Sequence, residues 1–79
     1  MDYLDIKALG TLAKGLRLQS KLSQSEVASL VGSSQPNVSA VEKGRDTRYI
    51  TVAIHIIERL SNYTLEGPFY LIREEQDDQ

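Results

Sequence analysis

At 79 residues, 41% hydrophobic and 25% charged, the chain has a globular balance at about half the length of a common domain, which leaves no room for a large enzyme. Its apolar runs fall far short of the ~20 residues that cross a bilayer, its acidic first residues lack a signal-peptide pattern, and it has no cysteine. A membrane span, a disulfide framework and a thiolate site are thereby excluded, and the expected compartment is cytoplasmic. The formal net charge of −2 is segregated: Ile6 to Leu65 carries eight bases against four acids, and Glu66 to Gln79 carries five acids against one base. The middle of the chain is basic enough to meet a polyanion.

Leu9, Leu12, Ala13 and Leu16 recur at helical spacing and predict a first helix from about Asp5 to Lys21. Gly10 and Gly15 weaken it, and close approach of a neighbouring element is one reason for a helix to carry them. Ser23-Gln24-Ser25-Glu26 is a capping box that opens a second helix, with Leu22 and Val27 placed for a hydrophobic staple and Ala28, Leu30 and Val31 continuing the apolar face. Gly32 supplies a left-handed stop, and Ser34 follows as the N-cap of a third helix, Gln35 to Lys43, with Pro36 in its first turn and Gly44 at its end. The β-branched stretch after Thr51 suits a strand by composition, but Val52, Ala53, Ile56 and Leu60 recur as in a helix, so a fourth helix is expected from about Thr51 to Leu60. Beyond it, Tyr63-Thr64-Leu65 and Phe69-Tyr70-Leu71-Ile72 read as a short strand able to pair across a dimer, with a helical turn from Pro68 as the alternative. The division is thus a domain over 1–62 and a dimerisation segment with an acidic tail over 63–79.

A short helix, a tight glycine turn and a second short helix form the layout of a helix-turn-helix, in which the first helix braces the second in the major groove. The first turn of the third helix offers Gln35 and Asn37, carboxamides able to pair with adenine edges, and the hydroxyls of Ser34 and Ser39. The same helix end presents free N–H groups and a positive dipole to phosphates, and Lys43, Arg45 and Arg48 follow. The partner these residues fit is double-stranded DNA. Lys14 and Lys21 are placed to approach flanking phosphates, and Tyr49 is the tyrosine best placed to touch DNA. His55, the lone histidine, reads as a packing or dimer-contact residue. Without a metal-ligand cluster, a serine paired with histidine or a phosphate loop, no enzyme activity and no cofactor are expected.

Leu16-Arg17, the stretch Leu22 to Ala28, Gly32-Ser33-Ser34-Gln35 and Val38 to Gly44 together resemble the Cro/cI (XRE-type) helix-turn-helix family over roughly Ile6 to Leu60. The resemblance implies an all-α, lambda repressor-like bundle of four or five helices. It also implies a repressor that binds a palindromic operator as a homodimer. Carried over by position, Gln24 caps the second helix against a phosphate; Gln35, Pro36, Asn37 and Ala40 face bases; and Lys43, Arg45, Thr47 and Arg48 hold the backbone. Arg17 and Glu42 become a scaffold ion pair. Pro36 and Ala40 depart from the long amides usual at their positions, which shifts the expected readout onto Gln35 and Asn37, with a thymine-methyl contact open to Ala40. The stretch Glu42 to Arg48 and the Tyr63-Thr64-Leu65 segment also resemble antitoxins of HipB type. That narrower likeness implies a cognate toxin kinase as a second partner.

Overall fold

The computed structural model describes residues 5–63, and among them every regular element is helical: α1 Ile6–Gln19, α2 Gln24–Val31, α3 Gln35–Lys43, a 3-10 turn Thr47–Tyr49 and α4 Ile50–Leu60. The all-α helix-turn-helix bundle expected from the sequence is the observed fold. Of the strand, dimerisation segment and tail expected over 63–79, only Tyr63 is among the described residues, and it sits in irregular chain; the rest lies outside them.

Local chemistry sets each boundary. Asp5 caps α1 by accepting from the Ala8 N–H at 2.8 Å. The helix stops at Gln19, two residues before the expected Lys21, because Lys21 itself adopts the left-handed conformation with φ 61°, which no helix can continue through. Ser23 and Glu26 form the reciprocal capping box, Ser23 Oγ accepting from the Glu26 N–H at 3.0 Å and Glu26 Oε1 from the Ser23 N–H at 2.7 Å. At the far end of α2, Gly32 (φ 68°) turns left-handed while the N–H groups of Gly32 and Ser33 donate back to the carbonyls of Ser29 and Ala28. This is the paired closure that ends a helix at a residue without a Cβ. Ser34 then starts α3 by accepting from the Asn37 N–H at 3.3 Å. α4 begins one residue earlier than its apolar pattern suggested, because the 3-10 turn, capped by Asp46, delivers the chain directly into Ile50.

The core is Leu9 and Ala13 of α1, Val27 and Ala28 of α2, Val38 and Val41 of α3, and Ala53, Ile56 and Ile57 of α4. Leu12, Leu16, Leu22, Val31, Val52 and Leu60 pack around its rim. Two expectations need correction. Leu30 belongs to the apolar face of α2 by spacing, but it remains 41% exposed: α2 is only two turns long, and Val27 and Ala28 at its centre take the contact with the bundle. Of the two roles expected for His55, packing does not hold: it is exposed, because the adjacent Ile56 and Ile57 both turn inward and carry it to the solvent side of α4, where the expected dimer contact is the role left to it. It lines a shallow depression with Leu30, Val31, Glu58 and Arg59.

α1 lies against both α3 and α4, and α2 lies against α3. Gly10 is the contact point between α1 and α3: a Cβ there would fall 2.2 Å from the Val41 carbonyl oxygen. This is the close approach that the glycine suggested. Gly15 has open space around it and no such role.

Candidate nucleic-acid interface

Val38 and Val41 are fully buried, so α3 is anchored by one face, and its first turn projects from the bundle with Ser34, Gln35 and Pro36 exposed. No acid lies in that turn, which leaves the positive helix end uncompensated by its own side chains. Lys43 lies in the last turn of α3, and Arg45, Thr47 and Arg48 follow on the loop and 3-10 turn, all four exposed. Ser39 and Ala40 are half-buried. The fold therefore presents Gln35 and Pro36 at one end of α3 and three cations at and beyond its other end.

The two amides expected to read bases are treated differently. Asn37 is half-buried, and its Nδ2 donates to Ser33 Oγ at 3.0 Å, so its carboxamide braces the turn between α2 and α3. Gln35 is exposed, and its Nε2 donates to Gln24 Oε1 at 2.6 Å. Gln24, the first residue of α2, in turn donates from Nε2 to Glu42 Oε1 at 3.0 Å. The expected phosphate-facing Gln24 is thus also the bridge between α2 and both ends of α3.

Behind this bridge is the ion pair expected from the resemblance. Arg17 Nε donates to Glu42 Oε2 at 2.5 Å and its Nη2 to Glu42 Oε1 at 3.1 Å, while Nη1 donates to the Leu22 carbonyl at 2.9 Å. The side chains are only 12% and 7% exposed, so the pair is screened from water. Burial pushes the Glu42 carboxyl up, but hydrogen bonds from Arg17 and Gln24 and the positive charges of Arg17 and Lys14 outweigh it and hold the group below its ordinary value. The hydrogen bond to Glu42 raises the Arg17 guanidinium in return.

Arg48 does not stand as an isolated phosphate ligand. Its Nε and Nη2 donate to Asp46 Oδ2 at 2.9 and 2.6 Å, its N–H donates to Asp46 Oδ1, and its guanidinium carbon lies 5.6 Å from the Tyr49 ring centroid. The hydrogen bonds from Arg48 hold Asp46 below the usual carboxylate range, and Asp46 raises Arg48. Two contacts of the site, Asp46 with Arg48 and Gln24 with Glu42, escaped the sequence reading. Asp46-Thr47-Arg48 did carry a local signal, an aspartate at a turn start with a cation two residues on. The Gln24–Glu42 contact joins residues 18 apart and had none.

A family model described as a helix-turn-helix domain matches residues 8–62, well over half of the chain. The chain belongs to the helix-turn-helix domain family. The match runs from within α1 past the end of α4, and a helix-turn-helix domain suggests a DNA-binding regulator. No curated protein and no solved structure matches the chain. No helix among the described residues is long and apolar enough to cross a membrane.

Proposed function

We propose that this helix-turn-helix protein is a sequence-specific transcriptional repressor that binds a two-fold symmetric operator as a homodimer. The observation that carries the reading is the exposed first turn of α3: Gln35 stands there with its carboxamide already oriented by Gln24, at a positive helix end free of acids. Gln35 is the direct base reader, with Pro36 and Ala40 offering apolar contact to neighbouring bases. Ser34 and Asn37 set the position of the turn, and Ser39 offers its hydroxyl beside them. Gln24, Lys43, Arg45, Thr47 and Arg48 hold the sugar-phosphate backbone on either side. A single domain of this size covers one half-site; two copies place their α3 helices in successive major grooves about 34 Å apart. Exposed Leu30 and Tyr63 supply apolar surface for a second copy.

The test is fluorescence anisotropy with the full chain on DNA upstream of its own gene and on a scrambled duplex, across a salt series. The expected result is at least ~10³-fold preference for the natural sequence and a steep salt slope. Equal, weak binding to both duplexes would refute specific repression of its own gene.

A further inference from the structure

The hydrogen-bond chain that ends at Gln35 has a direction, and that direction originates at Glu42. A carboxylate only accepts, whereas a carboxamide has one accepting and one donating end of nearly equal size and can present either. Glu42 is locked in place by Arg17 on one side, and its Oε1 is left facing Gln24. Gln24 must therefore turn its Nε2 toward Glu42, which leaves only Oε1 facing α3. Gln35 must answer with a donor, and its Nε2 donates to that oxygen at 2.6 Å. What remains for a ligand is the Gln35 Oε1 acceptor beside the second N–H of its Nε2. This acceptor-beside-donor edge matches the N6–H donor and N7 acceptor of adenine, and mismatches guanine, which offers two acceptors.

We propose that Glu42 is a specificity-positioning residue: its acceptor-only carboxylate, relayed through the Gln24 carboxamide, holds Gln35 in the orientation that selects adenine over guanine. This inference rests on Gln35 contacting a base. Glu42 itself touches no DNA, so its effect travels entirely through the two glutamines.

The experiment is the binding of Glu42→Gln to four duplexes that differ only at the base pair read by Gln35, within a site selected by the wild-type chain. In this variant the new carboxamide oxygen takes the shorter Arg17 Nε contact, at 2.5 Å against 3.1 Å for Nη2, so its NH2 faces Gln24. Gln24 then reverses and Gln35 reverses after it, so its donor and acceptor exchange places: the Nε2 N–H meets the adenine N6–H donor and Oε1 meets the N7 acceptor. The adenine-over-guanine ratio is expected to fall about tenfold or more. A uniform loss over all four duplexes, as a purely structural residue would give, overturns the proposal. Because Glu42→Gln strains a buried pair, Gln24→Met is measured beside it; this change leaves Arg17 and Glu42 together. Gln24→Met is expected to reduce the same ratio, with Glu42→Gln producing no further change in that background. An unchanged ratio in Gln24→Met, or an undiminished Glu42→Gln effect in its absence, overturns the relay. Gln35→Ala separates the two levels. If it keeps the preference, the base-reading role of Gln35 fails; if it abolishes the preference while Glu42→Gln leaves it intact, only the relay fails.

Discussion

Gly10 and Gly15 lie in the same helix, and the structure predicts opposite signs for the same substitution at the two positions. In Gly10→Ala the added Cβ would meet the Val41 carbonyl oxygen at 2.2 Å and the Val41 carbonyl carbon at 3.3 Å. Neither atom can yield without moving α3, and Cβ atoms do not sit closer than about 3.0 Å to such neighbours. Relief requires α1 and α3 to separate by roughly 1 Å, enough to forfeit a quarter to a half of the dispersion energy of the atom pairs it opens. The opened contacts are those of Leu9, Ala13, Val38 and Val41. Overpacking of this kind costs about 3 kcal/mol, from which alanine's helix preference recovers up to about 1, leaving a net loss of about 2 kcal/mol. Gly15→Ala meets nothing within 4 Å and keeps only the preference, a gain of about 0.5–1 kcal/mol. Thermal unfolding by circular dichroism resolves both, since 1 kcal/mol moves the Tm of a domain this size by roughly 4–8 °C. A Gly10→Ala protein as stable as wild type would refute the α1–α3 contact, and a destabilised Gly15→Ala protein would refute the open face of α1.

The Arg17–Glu42 pair makes a second prediction: Arg17→Met strands a buried carboxylate and should cost about 3 kcal/mol in urea unfolding, and a loss under 1 kcal/mol would show the pair to be solvated. Because Glu42 is held below its ordinary value, the unfolded chain binds more protons than the folded one between the two pKa values. The contribution of Glu42 is therefore complete above the ordinary carboxylate range and lost as pH falls through the folded value. Arg17→Met should flatten that acid dependence of stability, and an unchanged pH profile would assign it to other carboxylates. Lys21, at φ 61°, should gain about 0.5–1 kcal/mol on replacement by glycine, read as a raised urea midpoint; a lowered midpoint would contradict the left-handed geometry. Asp46→Asn should release Arg48 to phosphate while still capping the 3-10 turn, strengthening binding to all duplexes alike and steepening the salt slope by about one unit. A slope unchanged in that variant would show that Arg48 does not reach the backbone.

What the sequence showed of this molecule was its local chemistry. The capping box at Ser23, the stop at Gly32 and the cap at Ser34 are decided within a few residues; the first was legible with its reciprocal partners and the other two by position. The apolar periodicity identified the helices but not the centre of the core. Ile57 is fully buried although the spacing argument passed over it, and Leu30 is exposed although the spacing included it, because burial depends on which neighbour reaches each face. At the site, residue types named Gln35 and Asn37 equally. Only the tertiary arrangement separates them, since Asn37 turns back onto Ser33 while Gln35 is held outward by Gln24. The Arg17–Glu42 pair came through the family resemblance, and its extension to Gln24 came only with the packing of α2 against α3.

Whether α3 reads DNA sequence through Gln35 can be decided by selecting duplexes from a randomised pool with the wild-type chain and, in parallel, with Gln35→Ala. The wild type is expected to enrich a two-fold symmetric site whose half-site centres lie about one helical turn, ~10 base pairs, apart, with an adenine at the same position in each half. Gln35→Ala is expected to enrich the same site with that position alone relaxed. An unenriched wild-type pool, or identical consensus sequences from the two proteins, would contradict base reading through Gln35.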